Sequence, residues 1–297
     1  MQHRFQTHSA FKSKVFEYLF FDYPNSRLKR ILPPVLLGLL LSLAFQPSNY
    51  TFLGFISLLL FYRHFEKRIQ HSTKNAFSIG YWYGFGYFAG GLYWIAYALH
   101  IDWLRFAVLV PLAALGIPSV LAIGLGIATG VASRLRNRGR LLPLLAFVLM
   151  WTIFEWVKGH LLTGFPWLNL AEIWLSGDVM IQNLAFVGPY ALGLLTLVLF
   201  VLLYGVVFFE RTHRPKFFVA FLALSTVLLM NGNIHLKSEP QRQHTDFDLV
   251  IVQPNILQIH KWAPDRLRFS IDALVRLSSQ SRLQPQMGTH YKPKVFI

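Results

Sequence analysis

Residues 183–209 read Asn-Leu-Ala-Phe-Val-Gly-Pro-Tyr-Ala-Leu-Gly-Leu-Leu-Thr-Leu-Val-Leu-Phe-Val-Leu-Leu-Tyr-Gly-Val-Val-Phe-Phe, without a single Asp, Glu, Lys or Arg. At 1.5 Å of rise per residue this run is long enough to cross a bilayer as one helix. Working outward, similar apolar segments lie at Ile31–Phe45, Thr51–Tyr62, Ala76–Leu99, Phe106–Ala132, Leu141–Val157 and Lys216–Met230. The first two are short and are joined by Gln46-Pro47-Ser48-Asn49-Tyr50; they read as tilted spans or as a re-entrant hairpin. The sequence therefore predicts an all-α polytopic membrane bundle of about seven spans over residues 31–230, after a basic N-terminal segment, 1–30.

Composition agrees. Hydrophobic residues are 54% of the 297 and charged residues only 14%, against about 25% charged in soluble domains. That balance excludes a disordered chain and an ordinary cytosolic enzyme. The net charge of +15 would suggest nucleic acid on a soluble protein, but its placement argues otherwise. With the N-terminus on the cytoplasmic side, the segments predicted inside hold seventeen Lys and Arg, and the loops predicted outside hold Arg105 and Lys158 alone. The positive-inside rule accounts for that split, so no nucleic-acid partner is expected. No short apolar run opens the chain, so no cleavable signal peptide is expected either.

The loop after the fifth segment is apolar without being a span. It contains Gly164, Pro166, Trp167 and Trp174, and reads as dipping into the outer leaflet. Residues 231–246 read as a polar linker. Phe247–Val252 has the pattern of a buried strand, and Pro264-Asp265 open a helix with Leu267, Ile271, Leu274 and Val275 on one face. Residues 281–297 show no periodicity. One strand and one helix cannot close a core, so 247–280 looks like the start of a larger α/β domain.

Most candidate chemistry has a plainer reading. Gly80/Gly84, Gly86/Gly90 and Gly126/Gly130 are small-xxx-small pairs suited to close helix packing. The histidines show no metal-ligand spacing; His100 and His160 sit at span ends as hydrogen-bonding interfacial groups. Glu155 has Lys158 three residues on, on the same helical face, which reads as an ion pair, with a direct functional role as the competing reading. There is no cysteine, which removes disulfides, thiolate metal sites and any cysteine nucleophile from these residues.

Four pieces in order carry a family resemblance: Leu43-Ala44-Phe45-Gln46-Pro47; Gly84-Phe85-Gly86-Tyr87-Phe88-Ala89-Gly90-Gly91-Leu92-Tyr93-Trp94-Ile95; Glu155-Trp156-Val157-Lys158-Gly159-His160-Leu161-Leu162-Thr163-Gly164-Phe165-Pro166-Trp167-Leu168; and Val252-Gln253-Pro254-Asn255-Ile256 with Lys261-Trp262. Together they resemble the apolipoprotein N-acyltransferases of Gram-negative inner membranes. The resemblance implies a membrane part open sideways to the outer leaflet and a periplasmic nitrilase-like αββα domain. A Glu-Lys-Cys triad there takes an acyl chain from a membrane phospholipid as a thioester and passes it to the amine of a diacylglyceryl lipoprotein. It implies substrate-side roles for Gly164, Trp167 and Trp262, and strand-end structural roles for Gln253 and Asn255.

The sequence departs from the family in having Lys158 where Arg is usual and Pro254 where Gly is usual. It also has no carboxylate in Gln286–Lys294, where the resemblance places the catalytic Glu. The triad Lys and Cys and a closing transmembrane helix would lie beyond Ile297, so the resemblance ends near Ser281 as a C-terminal truncation would make it. No catalytic residue, metal or cofactor is assigned. The expectation is a multi-pass protein of the bacterial inner (cytoplasmic) membrane, with its C-terminal segment periplasmic, inactive alone or completed by a separately encoded remainder of the domain. The competing expectations are a non-enzymatic lipid-binding or scaffolding membrane protein and, behind it, a transporter. The transporter lacks repeated halves and midplane charges.

Overall fold

The computed structural model describes residues 27–68, 73–99, 107–238, 248–257, 261, 266–283 and 294–296. They divide into two units, Met1–Ser238 and Glu239–Ile297.

In the first unit each apolar segment is helical. The helices are α1 Arg27–Ser42, α2 Thr51–Arg68, α3 Thr73–Gly91, α4 Tyr93–Ala98, α5 Leu109–Arg134, α6 Leu141–His160, α7 Leu184–Phe208 and α8 Arg214–Lys237. Among the described residues four of them, α5 to α8, are long and apolar enough to cross a membrane. Helix is the only local answer for such segments, because lipid offers the backbone no hydrogen-bond partner.

Their amphipathy is inverted, as a lipid solvent requires. On α6 the exposed stripe is Leu142, Leu145, Leu149, Ile153 and Trp156, while the buried face carries Trp151, Glu155 and Lys158. Association then rests on close packing and internal hydrogen bonds more than on a hydrophobic effect.

α3 is the central element, and its glycines explain how. A Cβ at Gly80 would strike the Leu125 carbonyl and the Thr129 side chain of α5, and one at Gly84 would lie 3.0 Å from Ala122 Cα. On another face a Cβ at Gly86 would strike the Val35 carbonyl of α1, and one at Gly90 the Ser42 hydroxyl. The expected glycine packing is thus two-sided. Gly130 is outside it: the nearest atom to a Cβ there is 3.9 Å away, on Phe77. Between the helices Phe61 stacks on Tyr83 at 3.7 Å, and Trp151 meets Phe147 edge-on at 5.4 Å. Ser57 donates to the Leu37 carbonyl at 2.6 Å and shares a 3.0 Å hydrogen bond with the Tyr83 hydroxyl.

Three departures from regular helix are not visible in the apolar pattern. The third segment breaks at Leu92, between α3 and α4. α5 takes one π turn, Leu112–Gly116. α7 is interrupted at Gly188, whose φ of 72° precedes Pro189. α8 runs on to Lys237, so residues 231–237, which read as linker, are helix. Asn231 Nδ2 donates to Asn183 Oδ1 at 2.9 Å, and Asn183 Nδ2 donates to the Leu228 carbonyl at 3.0 Å.

The second unit holds β1 Asp248–Val250, α9 Leu267–Leu283 and β2 Lys294–Phe296. β1 and β2 pair in parallel with Leu249 opposite Val295. A helix between two parallel strands is the β-α-β arrangement. The second strand lies in the stretch where the sequence shows no periodicity.

Candidate functional site

The expected site residues Gly164 and Trp167 lie in the loop after α6, and that loop is held from beneath by Lys158. Lys158 is buried in the last turn of α6. Its Nζ donates to the Trp167 carbonyl at 2.8 Å and the Leu168 carbonyl at 3.2 Å, and lies 3.3 Å from Glu155 Oε2. The i, i+3 spacing read from the sequence therefore does form an ion pair, and the same ammonium also ties down the loop. Its charge faces the rings of Phe88, at 5.6 Å, and Phe154, at 6.0 Å. Trp151 Nε1 donates to Glu155 Oε1 at 3.2 Å, while Glu155 Oε2 has no hydrogen-bond partner beyond the ion pair.

Leu168 is the second anchor. Its φ is 57°, a left-handed conformation that costs a leucine about 1–2 kcal/mol. Three contacts hold it there. Tyr87 Oη donates to its carbonyl at 2.7 Å, Lys158 donates to the same oxygen, and its side chain fills the space above Gly91. Trp167, one residue earlier, is consequently turned outward and is 48% exposed, with Trp94 at 6.0 Å and Phe165 at 5.1 Å.

Gly164 makes the turn possible. Its φ is 81°, and a Cβ there would strike the Gly159 carbonyl. The turn closes with Gly164 N–H on the Leu161 carbonyl at 2.9 Å and Phe165 N–H on the Lys158 carbonyl at 2.7 Å. His160 donates from Nδ1 to the Trp156 carbonyl at 2.8 Å and lies over Trp156 at 4.5 Å. Trp262, His100 and Arg105 lie outside the described residues.

Beyond Leu168 the chain enters a 3₁₀ turn, Leu170–Ser176, through a capping box. Asn169 Oδ1 accepts from Ala171 N–H at 2.9 Å, and Glu172 Oε1 accepts from Asn169 N–H at 3.2 Å. Asn169-x-x-Glu172 is legible as a capping signature, whereas the roles of Tyr87 and Trp151 depend on the tertiary fold. Burial pushes the Glu172 carboxyl above the usual carboxylate range, against the opposing pull of the Asn169 N–H and Lys158.

Two hollows flank this turn. An almost wholly apolar groove of about 410 Å³ runs between α2, α7 and α8, with Trp174 of the turn and Phe55, Leu199 and Phe221 among its walls. A smaller pocket of about 140 Å³ is lined by Pro166, Glu172, Pro189 and Tyr190. The arrangement offers an exposed tryptophan on a pinned loop, a chain-sized apolar groove and one carboxylate. Among the described residues no group of three or more His, Asp or Glu is placed to hold a metal ion.

Residues 37–202 match the family model described as "Apolipoprotein N-acyltransferase N-terminal domain". Proteins named apolipoprotein N-acyltransferase align over most of the chain. That of Rhodopseudomonas palustris is 34% identical across 77% of this chain and 44% of its own length. That of Brucella melitensis is 30% identical across 85% and 49%, and that of Rickettsia prowazekii 28% across 84% and 49%. The chain spans about half the length of these relatives.

Proposed function

Because the chain belongs to the apolipoprotein N-acyltransferase family, we infer that it forms the membrane cradle in which a phospholipid acyl chain is passed to the amine of a diacylglyceryl lipoprotein. The observation that carries this reading is the loop of Gly164 and Trp167, pinned by the buried Lys158 and by Tyr87 and leading into the turn whose Trp174 walls an apolar groove. Both substrates are lipid-anchored. A rigid aromatic shelf at the membrane surface orients them without drawing either into water, which is the entropic share of such a transfer.

The topology that goes with this function has seven spans, α1, α2, α3 with α4, and α5 to α8. The N-terminus is cytoplasmic, the membrane is the bacterial inner membrane, and the loop after α6 faces the periplasm with the second unit. In this reading the arginine-rich turn 134–140 is the cytoplasmic end. The β1–α9–β2 unit is the opening of a nitrilase-like domain, and Trp262 contributes to the substrate side.

In this reading the acyl group is held as a thioester, made when a thiolate displaces the lysophospholipid and broken when the amine displaces the thiolate, which is both a strong nucleophile and a good leaving group. These 297 residues hold no cysteine. The thiol, with its Glu and Lys, is therefore contributed by residues outside this sequence. Expressing the 297-residue chain in a strain depleted of lipoprotein N-acylation, and reading lipoprotein N-termini by mass spectrometry, tests both halves. The chain alone is expected to give no N-acylated product. Co-expression with a polypeptide carrying the rest of the domain and its cysteine is expected to restore it, and Trp167→Ala to weaken the restored activity. N-acylation by the chain alone, or no restoration with the completing piece, overturns the proposal.

A further inference from the structure

Three short segments at the arginine-rich end of the first unit, 63–68, 134–140 and 210–216, hold ten Lys and Arg against two Glu. The positive-inside rule counts such charges loop by loop and does not require the loops to meet. Here the fold brings them together around the end of α7. Arg140, entering α6, donates to the Phe208 carbonyl at 2.7 Å, lies 4.9 Å over the Phe209 ring and reaches across to Glu66 of α2. Arg214, at the start of α8, donates to the Phe209 carbonyl at 3.0 Å. Arg63 of α2 lies 5.3 Å over the Phe208 ring. One carboxylate, Glu66, serves both Arg63 and Arg140, and Glu210 faces His213 at 3.7 Å. Arg134, Arg138, Arg211 and Lys216 are exposed, and among the described residues none has a carboxylate within ion-pair distance. The rim therefore keeps a concentrated surplus of positive charge.

Beside the rim the outward sides of the helices are apolar. Leu142, Leu145 and Leu149 follow Arg140 along α6, and Phe218, Val219 and Leu222 follow Arg214 along α8, all of them exposed. Guanidinium groups above bare hydrocarbon complement a molecule with an anionic phosphate head and apolar tails. A soluble phosphate or a nucleic acid would meet the charge and leave the apolar sides unused. We propose that the rim of Arg138, Arg211, Arg214 and Lys216 around the end of α7 holds the phosphate head of an anionic phospholipid, with its acyl chains against the outward sides of α6 and α8. The inference goes beyond the acyl-transfer reading and rests on it only in assigning that lipid to the cytoplasmic leaflet.

The test is lipid retention by the full chain released from nanodiscs that hold phosphatidylglycerol and phosphatidylcholine of identical acyl chains in equal amounts, read by native mass spectrometry. The parent should retain phosphatidylglycerol with a preference of at least about tenfold, and added salt should narrow it. Arg138→Gln and Arg211→Gln touch neither Glu66 nor the carbonyls at the end of α7, so the fold is left intact. Each should cut the preference by about fivefold. Lys237→Gln removes the same charge at the opposite end of α8 and should leave the preference unchanged. No preference in the parent overturns the proposal. So does an unaltered preference in both arginine variants, or an equal cut in K237Q, which would make the effect one of net charge alone. Because neither turnover nor the completing polypeptide is involved, failure here leaves the acyl-transfer reading standing, and failure of the complementation experiment leaves this one.

Discussion

The bundle carries an ion-pair cluster at each end, and the two are built differently. At the arginine-rich end Glu66 accepts from Arg140 Nε at 2.6 Å and Nη2 at 2.9 Å, from Arg63 at 2.7 Å and from Tyr204 Oη at 2.6 Å. Arg140 also donates to the Phe208 carbonyl at 2.7 Å. That cluster joins α2, α6 and α7 through several partners. At the loop end Glu155 and Lys158 belong to the same helix, are both buried, and lean on fewer groups. The first cluster clamps helices together and tolerates loss of a partner. The second uses a buried charge to hold a loop, and each member is needed.

Removing the scarcer charge should cost most. Lys158→Met leaves Glu155 buried without a counter-ion, takes the Lys158 donor from the Trp167 carbonyl and leaves the Leu168 carbonyl to Tyr87 alone, a loss of about 3–5 kcal/mol in detergent or nanodisc unfolding. Lys158→Arg should recover most of it, since a guanidinium can reach a carboxylate and carbonyls together. Equal losses from the Met and Arg variants would break the contrast. At the other end Arg140→Ala should cost only about 1–2 kcal/mol, because Arg63 and Tyr204 still serve Glu66 and Arg140 is partly exposed; added salt should shrink it further.

The carboxylate gives a second comparison. Glu66→Gln keeps an acceptor oxygen for Tyr204 but removes the charge that Arg140 and Arg63 meet, and should cost about 1–2 kcal/mol; no loss of stability would remove Glu66 from the account. The smallest effect belongs to a site touching neither cluster. Gly130→Ala, with 3.9 Å to its nearest contact, should stay within about 0.5 kcal/mol of the parent.

Much of the membrane unit was legible. The apolar segments are helices because a backbone in lipid has no other outlet, and the glycine pairs are packing notches because only small residues let α3 approach α1 and α5 so closely. The Glu155–Lys158 pair followed from spacing alone. Other features depend on contacts that only the fold creates. Asn231 looked like linker by composition, yet Asn183 gives it a partner inside the bundle. The interruption at Gly188 has a local cause in the Pro189 that follows it, although the apolar pattern runs through both. β2 is three residues long, too short for periodicity, and is defined by its pairing with β1. Gly164 and Trp167 were singled out by resemblance alone, while Tyr87, whose hydroxyl holds Leu168 in place, gives no local sign of that task.

The left-handed leucine of the pinned loop sets how the loop can let go. Its carbonyl answers to two donors on two different helices, α3 and α6. To free that oxygen, both donors have to give it up, one from each helix, so the loop's hold is shared between two elements of the bundle.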